Sequence, residues 1–75
     1  IRSSFNVFPN PVEDQLVIET KLEIKNVSIY DTFGRLMMIN DGQQTIIDVS
    51  GFNGGVYFVK IMTDNGEVTK LFIKK

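Results

Sequence analysis

Short apolar runs, each bounded by residues that favour turns, recur along this 75-residue chain at the intervals typical of small β-domains. No stretch has the 3.6-residue period of an amphipathic helix. The runs predict strands at 15–20, 24–31, 35–40, 44–49, 56–64 and 67–75, preceded by an extended segment at 3–11. Seven strands with this spacing predict an all-β fold, a small antiparallel sandwich of immunoglobulin-like type.

Residues that favour turns or disrupt strands predict where the turns lie and which segment lies at the edge of a sheet. The segment Asp31–Gly34 has the Asp-first, Gly-last pattern of a type I turn. Asn65-Gly66 is the strongest short hairpin signal in the chain. Pro9 and Pro11 cannot donate to a ladder, so we expect the first extended segment at the edge of a sheet.

The domain must be stabilised by packing alone. A chain of this length buries only about 60% of the surface that its unfolded form exposes, and it contains no cysteine or histidine for a disulfide or a zinc site. Strand 56–64 is apolar on both faces and is expected to be the most buried. The predicted core is Leu16, Ile18, Val27, Ile29, Leu36, Met38, Ile47, Val49, Tyr57, Val59, Ile61 and Phe72.

The residues present argue against catalysis. Without histidine or cysteine the common nucleophile–base pairs are excluded. Paired carboxylates are the remaining possibility, but most of the nine acidic residues fall in turns or at strand ends, where capping or contact with water explains them. At 64–67 the hairpin explains the acidic residues better than calcium does. We expect no enzyme activity, no cofactor and no metal, and a net charge of −1 predicts no nucleic-acid partner.

Four segments, in order, resemble the motifs of the type A C-terminal sorting domain of the type IX secretion system. They are FPNPVEDQLVI (8–18), VSIYDTFGRLM (27–37), IDVSGFNGGVYFVKI (47–61) and TKLFIKK (69–75). The residues that match the motifs are Pro9, Asn10, Pro11, Gly34, Arg35, Gly55, Val56 and Tyr57. The departures, Phe8 for tyrosine and Phe52 for leucine, keep a large apolar group. The resemblance predicts a sorting domain at 5–75 and the end of a linker at 1–4.

The resemblance implies a secretion signal that directs an N-terminal cargo domain of the same precursor to the outer-membrane type IX translocon. It implies transit through the periplasm, removal by a sortase-like protease at the surface, and a final location at the cell surface or outside the cell, in Bacteroidetes-type bacteria. The competing interpretation is a β-sandwich spacer or carbohydrate-binding module appended to a secreted enzyme.

The last strand is the expected recognition element, formed by Lys70, Leu71, Phe72, Ile73, Lys74 and Lys75. If it lies at a sheet edge, its free N–H and C=O groups can add to a partner's sheet. Three of the eight basic residues lie there, which agrees equally with docking to an acidic groove and with protection of an edge, and the family resemblance favours docking. The same lysines would also protect an edge from aggregation, and a free edge would allow self-association.

The motif residues have structural interpretations as well. We expect Gly34 to serve a turn, Gly55 to serve a loop exit, and Tyr57 to fill the core with its hydroxyl bonded at the edge. The segment Pro9-Asn10-Pro11 is expected to stiffen the start of the domain and to set the direction of the linker. The role of Arg35 stays open.

Overall fold

The computed structural model describes residues 5–75, and in this range it contains seven strands and no helix. The strands are β1 Phe5–Phe8, β2 Gln15–Thr20, β3 Ile24–Asp31, β4 Leu36–Asn40, β5 Ile46–Asp48, β6 Gly55–Thr63 and β7 Gly66–Lys74. They form a three-stranded sheet in the order β1-β2-β5 and a four-stranded sheet in the order β4-β3-β6-β7, antiparallel throughout. The predicted all-β sandwich is confirmed. A helix able to cross a membrane is not found among these residues.

The predicted strands agree closely with the observed ones. β2 and β3 have the predicted ends, β4 begins one residue later than predicted, and β6 and β7 each begin and end one residue earlier than predicted. β5 is shorter than predicted, and β1 forms an edge of the three-stranded sheet, as Pro9 and Pro11 indicate. The predicted linker, residues 1–4, lies outside the described residues.

The core fills the space between the two sheets. Ten of the twelve predicted core residues are buried, and Phe5 and Val12 join them although the strand pattern did not indicate either. Leu36 is a wrong prediction, with 53% of its surface exposed, and Met38 is only partly buried.

A bulge explains the error at Leu36. The β3–β4 register shifts between Ile29 and Tyr30, so Met38 pairs with Ile29 whereas Leu36 pairs with Tyr30. A shift of one residue moves a side chain to the opposite face of a sheet. Leu36 therefore lies on the outer face, beside Tyr30.

The β6–β7 hairpin turns one residue earlier than predicted. Thr63 pairs with Gly66, so Asp64 and Asn65 form the turn and Gly66 follows it with a φ of 117°. A glycine with positive φ directly after a two-residue turn is the usual way to close such a loop. The Thr63 hydroxyl accepts from the Asn65 N–H at 3.1 Å and donates to the Gly66 carbonyl at 2.9 Å.

The antiparallel order gathers the connections at two ends of the domain. β6 and β7 have nine residues each, about 30 Å of strand, so they follow the 34 Å long axis. At one end, the entry end, Phe5 pairs with Thr20 and Ile24 with Thr63. The opposite end holds residues 9–12, 31–36, 53–57 and 74–75, and because it contains the family-like motifs we call it the motif end.

Candidate docking site

β7 is the outermost strand of the four-stranded sheet and pairs with β6 along its whole length. Its side chains alternate between two environments. Phe72 is fully buried and Lys74 is 9% exposed, whereas Leu71 and Ile73 lie on the outer face, each a little under half exposed. Two of the six residues predicted for recognition are thus out of reach of a partner that docks on the folded domain.

The two terminal lysines differ in their surroundings. The ammonium group of Lys74 donates to the main-chain oxygen of Lys75 at 3.1 Å, and its side chain lies against the domain. Lys70 and Lys75 are exposed. The positive charges available to a partner at the end of β7 are therefore those of Lys70 and Lys75.

The outer edge of β7 is covered at the motif end by the Pro-Asn-Pro segment. The Asn10 side chain accepts from the Ile73 N–H at 2.8 Å and donates to the Leu71 carbonyl at 3.4 Å. Next to it, Val12 donates to the Ile73 carbonyl and accepts from the Lys75 N–H, both at 2.8 Å. The side-chain amide of Asn10 acts as a substitute peptide group.

This cover changes how recognition at β7 can work. The main-chain groups of β7 that remain free in the described chain lie nearer the hairpin, around Thr69. Strand addition at residues 71–75 would first require the displacement of Asn10 and Val12. The sequence indicated a stiffening role for Asn10, and the contact with β7 was missed because it joins residues 61 and 63 positions apart.

We expect Asn10→Leu, a replacement of similar size, to lower the free energy of unfolding by about 1–3 kcal/mol, because it removes two hydrogen bonds that each contribute roughly 0.5–1.5 kcal/mol. It should also promote self-association, because it uncovers the Ile73 N–H at a sheet edge. Urea denaturation and sedimentation velocity at several concentrations measure the two effects. Asn6→Leu on β1 is the control, since Asn6 bonds only the exposed Glu19 carboxylate. Equal stability and equal sedimentation of the two variants would contradict the capping role.

Asp31 organises the turn between β3 and β4. Its carboxylate accepts from the N–H groups of Phe33 at 2.9 Å and Arg35 at 3.0 Å, and from the Arg35 Nε at 2.7 Å. Gly34, with a φ of 83°, donates to the Asp31 carbonyl at 3.1 Å, which confirms the predicted turn. The carboxylate therefore fixes Arg35 from two directions and holds Phe33 outward, where 86% of its surface is exposed.

These bonds lower the pKa of Asp31 below the ordinary 3.8. The N–H of Arg35 contributes most, the Arg35 side chain and the Phe33 N–H add to it, and burial opposes them. Asp48 has a lowered pKa as well, because the Ser50 hydroxyl and N–H bond its carboxylate.

Acid should therefore destabilise the domain. A carboxyl with a lower pKa in the folded state stabilises the protein above its unfolded pKa, and this contribution disappears as the pH falls through the folded value. We expect the stability of the wild type to fall as the pH drops from about 5 to below 3.8, and that of Asp31→Asn to fall less. Urea denaturation at a series of pH values tests this. Parallel pH profiles of the two proteins would contradict it.

Tyr57 anchors the other motif segment to the core. It is 5% exposed, and its hydroxyl donates to the Asn53 carbonyl at 2.7 Å. Its ring stacks on Phe72 at a centroid distance of 5.6 Å and contacts Phe52 at 5.1 Å. The structure thus gives Tyr57 the packing role that the sequence predicts.

Two motif segments that are far apart in sequence meet at the motif end. The β3–β4 turn and the start of β6 line one shallow depression, formed by Asp31, Thr32, Phe33, Arg35, Met37 and residues 53–57. The Arg35 guanidinium lies 5.9 Å from the centroid of the Phe33 ring. The depression is apolar at Val56 and Met37 and cationic at Arg35. Arg35 and Val56 are among the residues that match the family motifs, whereas no role was predicted for Phe33 or Met37.

Neither catalysis nor metal binding is indicated by this geometry. In residues 5–75 no group of three histidine, cysteine, aspartate or glutamate side chains is arranged to hold a metal ion. The buried side-chain polar atoms of the same range all have hydrogen-bond partners.

Comparison with known families gives one match. A family model described as a secretion system C-terminal sorting domain matches residues 6–75. A comparison with curated proteins finds no match. Since the family model covers nearly the whole chain and the fold is the expected all-β sandwich, the chain belongs to the family of C-terminal sorting domains of the type IX secretion system.

Proposed function

We propose that this domain is read by the outer-membrane translocon through side chains at its motif end and is afterwards removed by a sortase-like protease. Membership of the family implies a sorting signal that acts within a cargo precursor, engages the type IX machinery, and leads to the cell surface or the extracellular space. Passage through the periplasm belongs to the proposal. The observation that carries it is the exposure of Leu71, Ile73 and Lys75 at the end of β7.

Recognition through side chains fits the cover on β7 better than strand addition does. The Asn10 amide and Val12 occupy the main chain at Leu71, Ile73 and Lys75. The side chains of Leu71 and Ile73 point away from that edge, onto the outer face of the sheet. A partner can therefore contact them while the cover stays in place.

We propose that proteolytic removal occurs near or upstream of residues 1–4. Proteases act on extended segments that no sheet occupies, and from Phe5 onward the chain is paired with β2. A cut within β1 would also release Phe5 from the core.

The test fuses residues 1–75 to a fluorescent cargo that carries a leader peptide, in a host with a type IX system. We expect cargo at the surface or in the medium, and retention in the periplasm when Lys74 and Lys75 are deleted. The fusion with the domain placed before the cargo is expected to stay inside, which separates a sorting signal from a spacer or a carbohydrate-binding module.

Charge variants separate two effects of the deletion. Deleting Lys74 and Lys75 removes the positive charges, but it also removes the bond from the Lys75 N–H to Val12 and the pair between Lys74 and Gly55. The double variant Lys70→Gln/Lys75→Gln removes charge and keeps the main chain. Loss of export in both variants supports docking by charge. Unchanged export after the deletion would mean that the lysines only protect the edge.

A further inference from the structure

Apolar side chains form a continuous row across the outer face of the four-stranded sheet. The strand register aligns Leu36 of β4 with Tyr30 of β3, Tyr30 with Phe58 of β6, and Phe58 with Leu71 of β7. One step toward the motif end, Val56 pairs with Ile73 on the same face. We call this surface the apolar band, and its members are Tyr30, Leu36, Val56, Phe58, Leu71 and Ile73.

The band departs from the usual pattern of an antiparallel sheet with one solvated face, where polar residues point outward. About half of the surface of Leu36 and of Leu71 is exposed, and Val56 and Ile73 are each about 40% exposed. Contiguous exposed apolar surface that is rimmed by polar residues marks a contact site in soluble proteins. The Lys60 side chain lies over part of this surface, at Tyr30.

Charge is divided between the two sheets. Residues 24–40 and 55–75, which build the four-stranded sheet, carry six basic and three acidic side chains. The basic ones are Lys25, Arg35, Lys60, Lys70, Lys74 and Lys75. Residues 5–23 and 41–54 carry one basic and six acidic side chains, the acidic ones being Glu13, Asp14, Glu19, Glu23, Asp41 and Asp48. The domain is therefore strongly dipolar although its net charge is only −1.

Cations lie directly at the band. The Lys60 ammonium lies 5.3 Å from the centroid of the Tyr30 ring. Arg35, the residue after Gly34, lies at the motif end of the band. Of the three acidic residues on this sheet, Asp31 and Asp64 are each within 3.1 Å of a cation, Arg35 and Lys25 respectively. These two pairs neutralise Arg35 and Lys25. The positive charge that remains on this sheet is that of Lys60, Lys70 and Lys75, with Lys74 buried, against Glu67.

We propose that the apolar band is the surface through which the domain docks, and that its partner is a protein surface of apolar side chains bordered by carboxylates. The proposal rests on the function proposed above and names the surface used. A second copy packed face to face would bring two positive rims together, which is unfavourable. An acidic rim on a different protein supplies the complementary charge and speeds association.

The double variant Leu36→Asn/Leu71→Asn tests the band. The matched control is Ile46→Asn, because Ile46 is 53% exposed, as Leu36 is, and belongs to the acidic three-stranded sheet. Thermal melting first establishes that both variants are folded. The probe is purified type IX outer-membrane translocon in detergent, immobilised for biolayer interferometry.

We expect the band variant to bind at least about tenfold more weakly than the wild type, which corresponds to about 1.4 kcal/mol. The Ile46 variant should stay within about twofold. Binding of the wild type should weaken as salt rises from about 50 mM to about 300 mM, since screening reduces attraction between exposed charges.

Other results would overturn the proposal. If the band variant and the wild type bind equally well, the band is not the docking surface. If binding does not change with salt, the partner surface is not bordered by carboxylates. If sedimentation shows a dimer of the wild type that the band variant lacks, while translocon binding is unchanged, the occupant is a second copy. The cargo-export assay distinguishes a failure of this proposal from a failure of the proposed function. If the wild type and the band variant are both exported, the band is not the docking surface but the sorting function stands. If the wild type is not exported, the sorting function itself is wrong.

Discussion

Phe72→Ala is expected to leave the domain largely unfolded at room temperature. Phe72 is fully buried and its ring stacks on Tyr57. Truncation of a buried phenylalanine to alanine costs about 3–5 kcal/mol. A single core in a domain of this length supplies only roughly 3–5 kcal/mol in total. The loss is therefore as large as the whole stability.

Circular dichroism and urea denaturation measure the effect, and Leu71→Ala is the control. Leu71 precedes Phe72 in β7 but is half exposed on the outer face, so its truncation should cost less than about 1.5 kcal/mol. Both residues belong to the predicted recognition strand. A folded Phe72→Ala protein that fails to bind the translocon would show that Phe72 contacts the partner, and the assignment of Phe72 to the core would be wrong.

Gly42→Ala is expected to cost about 2–5 kcal/mol. Gly42 has a φ of 86°, a region in which an alanine pays about 1–2 kcal/mol. A Cβ at this position would also meet the main-chain carbonyl of Ile24, and forcing an extra carbon into a packed site costs about 1–3 kcal/mol. The connection from β4 to β5, which passes from one sheet to the other, depends on this close approach.

The variant Gly34→Ala measures the cost of an alanine at positive φ without a steric contact. It therefore separates the backbone cost from the steric cost expected at Gly42. Gly34 has a similar φ of 83°, but a Cβ there would have no atom within 4 Å. We therefore expect a loss of about 1–2 kcal/mol, from the backbone alone. Urea denaturation of both variants gives the comparison. Equal losses would show that the backbone of Ile24 moves aside for the added carbon and that the close approach is not a constraint.

Strand positions were predictable because they depend on neighbours in sequence. The alternation in 15–20 and 24–31 gave both ends of β2 and β3, and the Asp31–Gly34 pattern gave the turn. The face of Leu36 was not predictable, because it depends on a bulge opposite Ile29 and Tyr30. A bulge leaves the order of apolar and polar residues unchanged and appears only when two strands are aligned.

The candidate site was predictable only in part for the same reason. Lysines at the end of β7 and the family-like motifs are visible in the sequence. The bond from the Ile73 N–H to Asn10 joins opposite ends of the chain, and no local pattern indicates it. The apolar band is likewise a product of register, since Leu36, Phe58 and Leu71 come from three strands.

The two ends of the domain have a consequence for the passenger protein. The described chain enters at Phe5, at the entry end, whereas Val56, Ile73 and Lys75 lie toward the opposite end of a molecule 34 Å long. A passenger joined ahead of Phe5 therefore meets the described domain at the end opposite these residues. We expect passengers of unlike size and shape to leave them accessible, because the attachment point is at the far end.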